Sequence, residues 1–291
     1  MGTRVSRWAG GVAVVVLLGI GVAAVVATSQ DPDHLAQRGQ EALDRHDLSR
    51  AEALFRQAAA ADPAHLPALE GLGWTYLLAG QQGAAGAAFD RCAEIDPARA
   101  ECLRGQASVA MAKGEVARAR ALLLDALSKA PDDARVQSSL GLLELSAGDV
   151  EAGAARYEAL VARFPEDAEY RVGLVEARLR QKRLDEALAQ VDEALALDGS
   201  PVRTEALLHL LRARVLVAQV AGRVDPARCA ETAPPLLAWL DAAQASVQAA
   251  EATGVRLPTL GDVKRMVGRS RGTIEDACPA GPALTAGDPP P

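Results

Sequence analysis

From residue 31 onward, apolar side chains return three and four positions apart, the spacing of one helix face, and the whole pattern repeats every 34 residues. Leu72–Tyr76, followed by Ala85, Phe89 and Pro97, shows it most clearly: small residues, a large apolar residue and a terminating proline at fixed offsets. Gly39, Ala51, Phe55, Ala58 and Pro63 precede it in the same register. Ala107, Ala119, Leu123, Ala126 and Pro131 follow, then Gly141, Gly153, Tyr157, Leu160 and Pro165. A fifth unit has Val175, Ala187, Val191 and Ala194, with Gly199 in place of the proline. Gly80, Gly114 and Gly148 form a further ladder of the same period.

The pattern predicts a pair of helices per unit. A small residue midway along the first helix lets the second approach, and the large apolar residue fills the space between them. The ladder glycine ends the first helix in the left-handed conformation, and the proline stops the second. One pair alone leaves an apolar face uncovered, so pairs must stack.

These residues resemble the tetratricopeptide repeat family over roughly Pro32–Pro201, about 60% of the chain, in five units. The second unit matches best, and the fourth and fifth are degenerate. The resemblance implies an all-α, right-handed superhelical solenoid of helix-turn-helix repeats with a concave binding face. It places Gln40, Glu70, Trp74, Leu77, Arg104, Ser108, Met111, Leu142, Leu145 and Glu176 on that face, with Ser138 and Leu179 beside them. The competing reading of each apolar residue is packing between helices. The family's carboxylate clamp, which takes chaperone C-termini, is not implied, since Ala36, Gln40 and Leu43 stand where its basic and amide residues would begin.

After Pro201 the register weakens. Val202–Ala221 reads as one long apolar helix, Pro234-Pro235 opens another to about Thr253, and a weaker one spans Thr259–Gly268. Residues 202–278 are expected to form an atypical helical pair and cap, and 279–291, rich in Pro, Gly and Ala, a disordered tail. At the other end, Arg4 and Arg7 precede Ala9–Ala27, an uncharged run. As a helix that run measures roughly 28 Å, close to a bilayer core. Residues 1–30 are therefore expected to be a retained anchor or a cleaved signal peptide. The body would then lie in a bacterial periplasm, tethered through residues 9–27 to the inner membrane or released from it.

Charge and chemistry narrow the function. A net charge of −7 without a basic face argues against nucleic acid. His34, His46, His65 and His209 are scattered, and no phosphate-cradling loop, serine elbow or C-x-x-C is present. Neither an enzyme, nor a cofactor or metal, nor a small-molecule substrate is implied. Glu144 reads as repeat degeneration. Cys229 and Cys278 flank the C-terminal helices and are candidates for a bridge. Cys92 and Cys102 flank a helix corner and either pair or fill alanine-like positions. The expected function is a non-enzymatic scaffold or adaptor in the cell envelope that holds a protein segment in its groove. The alternative is a self-associating tether or assembly subunit of an envelope complex.

Overall fold

The structure, a computed structural model, describes residues 31–279. The expected N-terminal helix (1–30) lies outside the described residues, as does the expected tail from residue 280 on. Among the described residues are thirteen α-helices, one short 3-10 turn and no strand, so the all-α tandem-repeat fold is present. They form two compact units, one up to Leu43 with Asp47–Asp96, the other Asp44–His46 with Pro97 onward.

In the first unit, α1 (Pro32–Asp44), α2 (Leu48–Ala61), α3 (Leu66–Leu78) and α4 (Gln82–Ile95) are held by aromatic rings seated on glycines. Phe55 on α2 is buried between two of them. A Cβ at Gly39 would stand 2.8 Å from its ring, and one at Gly71 2.3 Å. Phe89 on α4 closes on Gly73, where a Cβ would approach to 2.4 Å. Each ring is fully enclosed, which stabilises the unit by about 2–3 kcal/mol per side chain. His65 is buried. Its Nδ1 accepts from the Ala68 amide at 3.2 Å, capping α3, while its Nε2 lies 2.9 Å from Asp33 Oδ1.

The second unit runs through α5 (Ala100–Ala112), α6 (Val116–Lys129), α7 (Ala134–Ala147), α8 (Val150–Arg163), α9 (Ala168–Arg180), α10 (Leu184–Leu195), α11 (Val202–Val220), α12 (Cys229–Ala252) and α13 (Leu260–Ala277). Successive helices pack as antiparallel neighbours, and the first helices of the pairs also meet, α5 with α7, α7 with α9, and α9 with α11. Tyr157 plays the part of Phe55: Cβ atoms at Gly141 and Gly173 would stand 3.0 and 2.2 Å from its ring. Its hydroxyl donates to the Ser138 carbonyl at 2.8 Å, and burial pushes the phenol up to about 12. Leu123 is enclosed with Ala107, and Val191 with Val175.

The turn inside each pair needs one residue with positive φ, because a helix most easily ends in the left-handed conformation. Gly80, Gly114 and Gly148 supply it at φ 75°, 77° and 90°. His46 and Lys182 supply it at 58° and 60° in the outer pairs, on the same 34-residue ladder but without glycine's freedom. Aspartates cap the helices that follow: Asp47 and Asp149 accept amide bonds at the starts of α2 and α8, Asp133 and Asp167 at those of α7 and α9.

The C-terminal helices differ from the expected boundaries. α12 begins at Cys229 and carries Pro234 and Pro235 within it. Proline there withholds two N–H groups, and the early turns are held otherwise. Cys229 is bonded to Cys278, and Thr232 Oγ1 accepts from the Asp225 amide at 3.3 Å. α13 runs on to Ala277, because Val263, Val267 and Ile274 bury one stripe while Gly268 and Gly272 face open space.

Four stability outcomes are expected, each measured by chemical denaturation. Gly173→Ala should cost about 1–3 kcal/mol through overpacking against Tyr157, whereas Gly268→Ala should gain about 0.5–1 kcal/mol. Lys182→Gly should also stabilise, by roughly 0.5–1 kcal/mol, as left-handed strain is relieved. Replacing Cys229 and Cys278 by serine should cost about 4 kcal/mol from loop closure over a separation of 49 residues, with hydrogen exchange rising first in α12 and α13.

Candidate binding surface

One position per pair carries half of the candidate residues. Gln40, Trp74, Ser108, Leu142 and Glu176 stand 34 residues apart, each on the first helix of its pair. In the first unit, Gln40 is exposed on α1, and Glu70, Trp74 and Leu77 are partly exposed on α3. The Trp74 ring meets Phe89 edge-on, with centroids 5.1 Å apart, so it packs against the repeat as well as facing outward.

In the second unit, Arg104, Ser108 and Met111 are partly exposed on α5, as is Glu176 on α9. Met111 also leans on the α5–α7 core, and Ser108 Oγ donates to the Arg104 carbonyl at 3.0 Å. Leu142 on α7 is 48% exposed. Leu145 departs from the expectation: it is fully enclosed with Ala154, Tyr157 and Leu174 and offers no surface to a partner. Being one turn beyond Leu142 and nearer the second helix, it serves packing.

Arginine and glutamate organise the polar part of this surface. Glu101 receives Arg104 Nε at 2.9 Å, and Arg135 Nη2 lies 3.6 Å away. Glu176 receives Arg180 Nε at 3.1 Å from its own helix and Arg214 Nη1 at 2.7 Å from α11. Burial alone would raise the Glu176 carboxyl, but these two arginines outweigh it and hold the group below its ordinary value. Arg180 Nη1 also donates to the Leu145 carbonyl at 2.6 Å, tying α9 to α7. Nearby, burial pushes the Glu169 carboxyl up and the Arg203 guanidinium down. Glu144 is buried and clasped by Arg156 at 2.8 and 3.0 Å, which agrees with a structural rather than a catalytic role.

The arginines around Glu176 escaped the sequence reading. Arg180 and Arg214 are themselves 34 residues apart, so extending the register one unit past Pro201 would have found them. Gly71 and Gly173 were missed for another reason: each receives the ring of the preceding pair, a contact that no offset within one unit reveals. Cys92 and Cys102 are each fully buried within their own unit.

A tetratricopeptide repeat model matches residues 37–100, 104–155 and 139–201, together more than half of the chain. The chain belongs to the tetratricopeptide repeat family. Its fold is similar to that of a tetratricopeptide repeat protein from Parabacteroides merdae, with TM-score 0.60, 15% identity, and coverage of 83% of this chain and 86% of that one. A tetratricopeptide repeat protein of Thermus thermophilus aligns with TM-score 0.56 and 24% identity over 65% of this chain and 99% of its own. In sequence, the cellulose synthase operon protein C of Xanthomonas axonopodis pv. citri is 34% identical over 183 residues, 63% of this chain. This chain spans about a tenth of that protein's length (10%).

The inner-membrane placement is corrected. Among the described residues no helix is long and apolar enough to cross a membrane, and residues 9–27, on which that expectation rested, lie outside them.

The Glu176 cluster makes a pH prediction. A carboxyl held below its unfolded value contributes stability that is present above about pH 4 and lost as pH falls through the depressed value. Glu176→Gln should therefore lower the melting temperature at neutral pH and converge with the parent protein on acidification. Parallel melting curves at every pH would remove the cluster's role.

Proposed function

We propose that the protein is a non-enzymatic interaction scaffold that holds a segment of a partner protein on the first-helix face of its repeats. The observation that carries this reading is Leu142. On α7, Leu140, Leu143 and Leu145 are 0–2% exposed, whereas Leu142 is left 48% exposed on that face. A large apolar residue left so exposed favours contact with a partner side chain. The family supports the same reading, since its members present this face to protein ligands. Ser108 and Glu176 occupy the same register position in the neighbouring pairs of the same unit and differ in chemistry, which suits a segment read residue by residue.

A photo-crosslinking amino acid at position 142 tests the proposal against one at Leu124, which is 51% exposed on α6. Adducts with another protein at 142 but not at 124 are expected. Unlabelled parent chain added in excess should compete these adducts away and its Leu142→Ser variant should not, with Leu142→Ser changing stability by no more than about 0.5 kcal/mol. Equal labelling at both positions, or adducts only between copies of this chain, would refute the scaffold in favour of non-specific contact or self-association.

A further inference from the structure

The two sides of α9 are charged in opposite proportion. Toward the second helices, Arg178 is buried and serves two carboxylates, Glu158 with Nη2 at 2.5 Å and Glu186 with Nε at 3.3 Å. Arg212 on α11 is matched one to one, reaching the Asp192 carboxylate at 2.6 Å and the neutral Ser246 hydroxyl at 3.1 Å. On the first-helix face the ratio inverts: among the described residues, Glu176 is the one carboxylate that serves both Arg180 and Arg214. The two guanidinium side chains keep 40% and 36% of their surface exposed, whereas Glu176 keeps 21%. A guanidinium has five N–H groups. In these bonds Arg180 directs Nε and Nη1, and Arg214 directs Nη1. The cluster is thus one negative charge short, on a chain whose net charge is −7.

Resting on the scaffold reading, we infer that Arg180 and Arg214 are a docking node for side-chain carboxylates of an acidic partner segment. Three features select that chemistry. Planar guanidinium groups take carboxylates through paired N–H bonds. The pair is fixed in place from three helices, by Glu176 on α9, by the Leu145 carbonyl on α7, and by its own anchorage on α11, so little side-chain freedom is lost on binding. Glu176 prevents the two cations from repelling each other without neutralising both. An incoming carboxylate completes the balance, and a basic segment would meet like charge. The first-helix position of the cluster sets it on the same face as Leu142, so the segment combines an apolar residue with an acidic one.

The test uses the whole chain and fluorescence anisotropy of a short fluorescein-labelled, C-terminally amidated peptide of Glu and Leu, beside counterparts with every Glu replaced by Gln or by Lys. Amidation removes the terminal carboxylate as a competing source. The Glu peptide should bind at least about tenfold tighter than the Gln peptide, and the Lys peptide weakest, with the difference shrinking at high salt. The double variant Arg180→Gln/Arg214→Gln should erase that preference. Glu176→Gln should tighten the Glu peptide by about threefold or more, a gain that mere destabilisation cannot produce. Melting curves for each variant confirm folding. No binding of the Glu peptide, equal binding of Glu and Gln peptides, or unchanged affinity in both arginine and glutamate variants overturns the node. If adducts with another protein still form at position 142 in that case, the scaffold reading survives alone; if they do not, both fall.

Discussion

The repeats depend on the fit of one large side chain from the second helix into a slot on the first. The volumes trade against each other across the slot. Phe55 and Phe89 face Gly39 and Gly73, and Tyr157 faces Gly141. Where the filling side chain shrinks to Leu123 the slot holds Ala107, and where it shrinks to Val191 the slot holds Val175, each pair fully buried. A close-packed interior accepts such exchanges only when the total volume is kept, so the pairs fill the space between their two helices with three different side-chain combinations. Gly71 and Gly173 extend the same rule to the following helix, where a ring would otherwise collide with a Cβ at 2.2–2.3 Å.

Turns and caps show the opposite tolerance. The position that ends each first helix requires a left-handed backbone, and three glycines meet it without strain. His46 and Lys182 meet it at a cost, since a Cβ is disfavoured in that conformation. Capping is equally permissive: Asp133 and Asp167 do with a carboxylate what His65 does with an imidazole nitrogen. Geometry is constant, and residue identity is free wherever several side chains can satisfy it.

That division explains what was legible in the sequence. The slot residues are constrained in volume and recur at a fixed offset, so the helical pairs, their order and their close approach could be read directly. The glycine ladder was read at three of its five positions, since His46 and Lys182 carry no glycine signal. The C-terminal boundaries were misjudged where a proline pair looked like a helix start. Tertiary restraints, the Cys229–Cys278 bond and the Thr232–Asp225 contact, let α12 begin one turn earlier. On the candidate surface, exposure separated Leu142 from Leu145, two leucines on the same helix that residue type alone could not tell apart.

Because the slot and its ring take up the side of each first helix that meets the second helix, the remaining side is released from volume constraint. Position 40 and its successors accordingly run through Gln, Trp, Ser, Leu and Glu without disturbing the repeat. Charge on that side is then limited only by local compensation, and α9 shows how unevenly it is met. Behind the helix, Arg178 is buried, and a buried cation must be fully balanced; two glutamates do so. In front, Arg180 and Arg214 remain partly hydrated, so water bears part of the cost and one glutamate suffices for folding. An imbalance of this kind is tolerated by stability and matters only to what approaches from solution, which is where the chemistry of recognition is set.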